Sequence, residues 1–358
     1  MKIVTIIGAR PQFVKASMVS KAIANVSGME EIIVHTGQHF DDNMSSLFFE
    51  ELKIQKPTYH LNIGGQAHEI MIEKMVCAIV PVLRHEKPDI VLLYGDTDST
   101  LAGALSAKVL DIKIAHVEAG LRSYNPSMQE EINREITDKL STFLFCPTIQ
   151  AIDNLKKENI TRENREVFLV GDVMLDAALF YSPYYKYPAS LPEKFVLCTL
   201  HRAENTDSKQ RLSSILLALQ HIADTIPVVL PLHPRTRARV AEYGLTLAHE
   251  NIQCSSPLGY LEMQGLLNRA ALVMTDSGGL QKEAYFAKKY CLTLREETEW
   301  TELVQSGTNM LSGADTRQII EHFEILNARV SEPFCSQPFY GDGHAAEKIV
   351  RLLGFVHN

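Results

Sequence analysis

Along most of this chain, short runs of β-branched and apolar residues alternate with longer segments of helical periodicity. Such alternation is the pattern of repeated strand–helix units, whose parallel strands are buried by helices on both faces. It predicts an α/β fold. In the first half the strands are expected at 2–7, 31–34, 90–94, 112–115, 142–145 and 167–170. In the second half they are expected at 195–199, 228–232, 252–254, 271–274 and 290–294. Between the two sets lies 181–192, rich in proline and tyrosine and the best candidate for a linker. A chain of 358 residues is too long for one ordinary core. The expected organisation is two Rossmann-like doubly wound domains facing each other across a cleft, residues 1–180 and residues 181–342.

Composition excludes several classes of function. A formal charge of −8 argues against a protein that coats nucleic acid, although a local cationic pocket is compatible with it. No apolar run approaches the ~20 residues needed to span a bilayer. Met1-Lys2 leads directly into the apolar run Ile3–Ile7, short enough for a buried strand and unlike a secretory or transit signal. A cytoplasmic protein is expected. The cysteines at 77, 146, 198, 254, 291 and 335 form no CxxC pair and lie mostly in or beside apolar runs, so buried reduced thiols are the favoured reading over metal binding or a disulfide framework.

In open α/β sheets ligands bind outside the carboxyl ends of the strands, so residues just after each expected strand are the ones to inspect. Those turns are polar and varied. They comprise Gly8-Ala9-Arg10-Pro11 with Lys15, Thr36-Gly37-Gln38-His39, Gly95-Asp96-Thr97-Asp98, His116-Val117-Glu118, His201-Arg202, His233-Pro234-Arg235, and Asp276-Ser277-Gly278-Gly279 leading to Glu283. The last of these follows an apolar run and precedes a helix-like segment. Backbone N–H groups at a helix start lack partners and carry the positive end of the dipole, and adjacent glycines let a phosphate approach closely. Glu283 is then placed to accept hydrogen bonds from a hydroxylated group such as a ribose. A tight strand–helix connection with Glu283 solvated is the structural alternative. In the first turn, Pro11 suits the opening of a helix and Arg10 and Lys15 surround its start with two cations, an arrangement fit for an anion. One glycine there, where a dinucleotide fingerprint has three, disfavours a nicotinamide or flavin cofactor.

Asp96, Glu118 and Glu130 come from separate segments and are candidates for general acid and base work. For Asp96, capping of the following helix is an adequate alternative. Glu118 lies between Val117 and Ala119 at a buried strand end, where a solvated role is disfavoured. Glu130 opens a helix whose Ile132, Ile136 and Leu140 form an apolar stripe. Its four-residue spacing to Arg134 reads by itself as a surface ion pair. His201 with Glu204, or His116 with Glu118, could in principle ligate a metal, but no third ligand has matching spacing. A histidine and an arginine at a strand end fit a diphosphate better.

Taken together these stretches, with Glu130–Arg134 and Tyr340-Gly341-Asp342-Gly343, resemble the non-hydrolysing UDP-N-acetylglucosamine 2-epimerase family, in the family's order and over nearly the whole chain. The resemblance implies a glycosyltransferase-B type fold with the active site in the interdomain cleft. It implies a last segment, about 343–358, that crosses back to the first domain, and assembly as a homodimer. It also implies a reaction that needs neither metal nor nicotinamide: UDP is expelled to give a 2-acetamidoglucal, which is protonated on the opposite face and takes UDP back.

By that resemblance Asp96, Glu118 and Glu130 are acid/base carboxylates, and Arg10, Lys15 and His201 are catalytic and diphosphate contacts. Arg134, Arg202 and His233 join the substrate contacts, Ser277, Gly278 and Gly279 hold phosphate, and Glu283 holds the ribose. Gln38 and His39 would contribute to the allosteric activation by substrate found in some members. Where many members read Arg-Pro-Glu, this chain has Arg10-Pro11-Gln12; where they read Thr-Glu-Arg-Pro-Glu, it has Thr298-Glu299-Trp300-Thr301-Glu302. These departures are similar to the branch acting on UDP-2,3-diacetamido-2,3-dideoxyglucuronic acid, an O-antigen precursor. A hydrolysing epimerase, a glycosyltransferase of the same fold and a non-catalytic UDP-sugar-binding protein are the alternatives.

Overall fold

The computed structural model describes residues 1–38, 49, 51–188, 190–334 and 336–357. The chain forms two compact units, Met1–Phe180 with Pro338–Asn358, and Tyr181–Gln337. Each is built on one wholly parallel sheet.

In the first unit the strands are β1 (Lys2–Ile7), β2 (Glu30–His35), β3 (Tyr59–His60), β4 (Ile90–Tyr94), β5 (Lys113–Val117), β6 (Phe143–Cys146) and β7 (Glu166–Leu169). Their order across the sheet is β3-β2-β1-β4-β5-β6-β7, and every pair is parallel. β4 is buried along its whole length and β1 beyond its first residue, which explains their unbroken apolar runs. On one face the helices His68–Glu86 and Asp98–Val109 supply Met71, Met75, Ile79, Ala102, Ala104 and Ala107 to a core with Val4, Ile6, Val91 and Leu93. The C-terminal helix Ala345–His357 packs on the helix Arg10–Ala24. It is anchored at its start by the buried Asp176, whose two oxygens accept from Ala345 N (3.1 Å) and Ala346 N (2.7 Å).

The second unit carries β8 (Val196–Thr199), β9 (Val228–Pro231), β10 (Ile252–Ser255), β11 (Leu272–Thr275), β12 (Cys291–Thr293) and β13 (Asn309–Leu311) in the order β10-β9-β8-β11-β12-β13, again all parallel. Its core joins Val196, Cys198, Leu272 and Met274 to Leu212, Ile215 and Leu219 of the helix Lys209–Ala223.

Both sheets reverse direction of winding once, between β1 and β4 in the first unit and between β8 and β11 in the second. At such a reversal the loops leaving two adjacent strands diverge to opposite faces and open a crevice at the strands' carboxyl ends. Those loops are Gly8–Arg10 and Gly95–Thr97 in one sheet, Leu200–Arg202 and Asp276–Gly278 in the other. Strand order alone therefore places the polar turns at ligand-binding positions. Among the described residues no helix is long and apolar enough to cross a membrane.

Candidate active site

At the first reversal the chain leaves β1 through Gly8. A side chain is impossible there, since an added Cβ would stand 1.9 Å from Thr36 Oγ1 and 2.3 Å from Ser99 Oγ. Arg10 opens the next helix, with Pro11 in its first turn. Gln12 locks this turn to the neighbouring strand. Its Oε1 accepts from Gly8 N (2.8 Å) and Ala9 N (3.0 Å), and its Nε2 donates to Tyr94 O and Thr100 Oγ1, both at 3.0 Å. An ionised glutamate accepts only and could not make the second pair of bonds. Gln38 adds a further tie, its Oε1 accepting from Ser99 N (3.0 Å) and Ser99 Oγ (2.7 Å). His39 lies outside the described residues.

Lys15 does not sit free at the helix start. It is buried and forms an ion pair with Glu118, itself buried. Glu118 has a φ of +71°, a left-handed conformation that costs a non-glycine residue roughly 1–2 kcal/mol. The strain is held by the strand next door, because Glu118 N and Ala119 N both donate to Phe145 O, at 3.1 and 3.2 Å. Gly95, φ +63°, gives the pair its room: an added Cβ would be 3.1 Å from both Glu118 Oε2 and Lys15 Nζ.

Asp96, next in the chain, pairs with Arg134, which is 1% exposed and pairs also with Glu131. Two alternatives that the sequence left open are not what the structure shows here. The helix after Asp96 is capped by Thr97, whose side chain accepts from Thr100 N, leaving Asp96 free to face Arg134. Nor do the described residues show the surface pair Glu130–Arg134 that spacing alone suggests. In the helix Gln129–Leu140 the buried side is the polar one, Glu131, Arg134 and Asp138, whereas Ile132 of the expected apolar stripe is 39% exposed. Turned inward, Arg134 meets two carboxylates, and the half-buried Glu130 makes no ion pair among the described residues. Asn133 completes the frame, its Nδ2 donating to Asp96 O and to Asp98 Oδ1, both at 3.0 Å. Asp98 in turn meets His68 Nδ1 at 2.7 Å.

The second reversal is organised by Asp276, a residue that sequence reasoning placed in the turn without a role. Fully buried, it accepts from His201 N (3.1 Å), Arg202 N (3.0 Å) and Asn205 Nδ2 (3.3 Å), so the loop after β8 is fastened to the loop after β11. The His201 side chain remains 44% exposed, with Nδ1 3.3 Å from Asp276 Oδ1. Its ring lies 6.5 Å from that of His233, which uses Nδ1 to accept from Arg235 N at the start of the next helix (3.2 Å). Only a neutral ring nitrogen accepts, so the His233 proton sits on Nε2.

Ser277 precedes the helix Gly278–Phe286 and does not cap it with its side chain. The first N–H groups of that helix are thus left to an external acceptor. Nothing lies within 4 Å of a Cβ built on Gly279, so space is open beside them. Gly278 is different, since a Cβ there would be 2.3 Å from Glu299 Oε1. Glu299 is held by Arg295 Nη1 (3.1 Å), and Trp300 Nε1 donates to Gly278 O (2.9 Å) with Lys282 Nζ 4.5 Å above its ring. Glu283 is half-buried. Burial pushes the Tyr185 phenol up, and the Glu283 carboxylate pushes it further.

Three carboxylates, Asp96, Glu118 and Glu131, and two cations, Lys15 and Arg134, thus cluster at the first reversal, where such groups can move protons. The second reversal carries an uncapped helix start and an exposed imidazole, which can hold an anion. The metal alternative for His116 with Glu118 fails on geometry, because both His116 nitrogens face protein acceptors, Asp138 and Gly95 O. Cys146, Cys198 and Cys291 are buried thiols, but Cys77 and Cys254 are exposed.

The family model for UDP-N-acetylglucosamine 2-epimerase matches residues 21–354. The chain is 54% identical to the UDP-2,3-diacetamido-2,3-dideoxy-D-glucuronate 2-epimerase of Pseudomonas aeruginosa, with 99% of each covered. Among solved structures it is similar to the UDP-GlcNAc 2-epimerase of Methanocaldococcus jannaschii in complex with UDP-GlcNAc and UDP, at 38% identity and a TM-score of 0.90, covering 99% of this chain and 100% of that one. It is likewise similar to the UDP-GlcNAc 2-epimerase of Neisseria meningitidis bound to UDP-GlcNAc, at 30% identity and a TM-score of 0.89, with 100% of each chain covered. With a matching family model over most of its length and close relatives over nearly all of it, the chain belongs to the UDP-N-acetylglucosamine 2-epimerase family.

Proposed function

We propose that this chain inverts C2 of a UDP-linked 2-acetamido sugar by eliminating and re-adding UDP, and that its substrate is UDP-2,3-diacetamido-2,3-dideoxyglucuronate. The 54% identity to the Pseudomonas aeruginosa enzyme of that name supports the choice of sugar. The observation that carries the chemistry is the buried Lys15–Glu118 pair beside the Asp96–Arg134 pair. C2 of such a sugar has no adjacent carbonyl, so its proton becomes acidic only as the C1–O bond breaks and positive charge develops at C1. The bond electrons leave with UDP, the C2 proton passes to a carboxylate, and a C1–C2 double bond remains. Protonation of C2 on the opposite face and return of the UDP oxygen to C1 complete the inversion.

In this reading Asp96, Glu118 and Glu130 move the protons, with Arg134 orienting Asp96 and Lys15 orienting Glu118. Arg10, His201, Arg202 and His233 stabilise the departing diphosphate, where charge grows in the transition state. Ser277, Gly278 and Gly279 hold phosphate at the helix start, and Glu283 accepts from the ribose hydroxyls. Gln38 and His39 serve regulation by substrate. The working enzyme is a cytoplasmic homodimer.

The test is an incubation in deuterium oxide with UDP-2,3-diacetamido-2,3-dideoxyglucuronate and, separately, UDP-N-acetylglucosamine, without added cofactor. Deuterium at C2 of the diacetamido sugar, with slower or no exchange in the other, is expected. Faster exchange with UDP-N-acetylglucosamine would reassign the substrate. No exchange with either would refute the reaction, and free sugar in the mixture would indicate a hydrolysing enzyme.

A further inference from the structure

His116 lies in β5 with its side chain wholly buried, and both ring nitrogens have close partners: Nδ1 is 2.7 Å from Asp138 Oδ1, and Nε2 is 2.7 Å from Gly95 O. A backbone carbonyl can only accept. Asp138 is an acceptor too, because its Oδ2 takes hydrogen bonds from Gly120 N (3.1 Å) and Arg122 Nη1 (2.7 Å), the pattern of an ionised carboxylate. A neutral imidazole has one N–H and would leave one of these contacts as two facing lone pairs. Both contacts are satisfied only when the ring carries two protons.

The charges around the ring balance. Asp138 and Arg122 adjoin it, Arg122 makes two bonds to Glu158 (2.6 and 2.9 Å), and the Lys15–Glu118 pair lies on the far side of Gly95. The backbone atoms gripped by this network flank the carboxylates of the proposed reaction. Gly95 O belongs to the peptide that leads into Asp96, and Gly120 N follows Glu118 by two residues. Gly95 N, moreover, donates to Val117 O at 3.0 Å, so the turn carrying Asp96 and the turn carrying Glu118 are joined by backbone as well as by the ring.

We infer that His116 is a positioning residue, a buried imidazolium that clamps the Asp96 turn to the Glu118 turn through Gly95 O and Asp138. This role rests on the proposed epimerase reading, whereas the protonation state does not. Neutron diffraction from the deuterated wild-type protein at about neutral pH tests the state directly. Deuterons on both His116 nitrogens are expected, and one bare nitrogen would overturn the assignment whatever reaction the protein catalyses.

The role is tested by His116→Asn, which keeps a donor near the Nδ1 position, and His116→Gln, which keeps one near Nε2. Each breaks one side of the clamp. Rates are expressed per UDP-binding site, counted by titration, so that misfolded protein is not scored. A drop in kcat for C2 exchange of about 100-fold in both variants, with KM and UDP affinity unchanged, is expected for a small displacement of reacting groups. Adding Asp138→Asn to His116→Asn should then cost little more. Wild-type kcat per site in either variant, or a loss wholly accounted for by missing sites, would overturn the positioning role.

Discussion

Lys15 and Glu118 form a buried ion pair beside Gly95, where any β-carbon would stand 3.1 Å from each of the two charged groups. The relationship ties three segments that are far apart in sequence. The helix after β1 supplies the cation, the end of β5 the strained carboxylate, and the turn after β4 the space they need.

Gly95→Ala tests that space. The substitution imposes a left-handed conformation on alanine, costing roughly 1–2 kcal/mol, and also presses on the pair. C2 exchange should fall at least about tenfold while UDP binding, measured by calorimetry, stays within about twofold. Unchanged exchange would show that the pair tolerates displacement.

The two glycines at the phosphate turn should behave differently. Gly279→Ala meets nothing within 4 Å, so the melting temperature should hold while UDP binds more weakly, because the new methyl occupies the open space beside the N–H groups. Gly278→Ala strikes Glu299 Oε1 at 2.3 Å and should lower the melting temperature. Thermal melts with and without UDP separate the two effects. Equal melting temperatures for both variants would contradict the local packing.

Arg134 is buried between Glu131 and Asp96, and Arg134→Met removes the cation facing Glu131, leaving that buried carboxylate only its hydrogen bonds from Ser123 and Tyr124. Breaking a buried pair in this way costs about 3–5 kcal/mol. Adding Glu131→Gln should recover part of the stability but not the exchange activity, since Asp96 still lacks its partner. Urea unfolding measures the first and deuterium exchange the second.

Glu31 is buried in β2, accepting from Thr5 Oγ1 at 2.5 Å. Burial raises its pKa above 4.5 in the folded chain, against the lowering effect of the hydrogen bond from Thr5. Stability linked to this group is therefore full below about pH 4.5 and declines as the pH rises through the folded-state value. Glu31→Gln removes that decline. It should stabilise the protein at pH 7, and by less near pH 4, in denaturant titrations at the two pH values. The opposite ordering would show that Glu31 is ionised at little cost.

What the sequence discloses follows from what each element buries. The strands of both sheet interiors are legible because burial on two faces writes an unbroken apolar run. Tyr59–His60 and Asn309–Leu311 were not, because edge strands of two or three residues carry no pattern. The turns were legible through the rule that polar residues gather at carboxyl ends of parallel strands. The helix Gln129–Leu140 misled, because amphipathic reading assumes that apolar residues face inward. Here Arg134, Glu131 and Asp138 are buried through their charge partners, which no spacing rule reveals. For the same reason the partners of Lys15, the grip of Asp276 on the His201 loop and the double contact of His116 could be seen only in three dimensions. A lone histidine in an apolar strand was the one available signal for the last.

Glu118, strained and paired with Lys15, is the residue proposed to handle a proton at C2 of the sugar. Glu118→Gln keeps the size of the side chain and removes its basicity. The decisive measurement is deuterium incorporation at C2 by this variant, alongside UDP affinity. Binding within about twofold of the wild type is expected, with exchange reduced at least about 100-fold, the scale of a lost general acid or base. Exchange at the wild-type rate with intact binding would contradict that role.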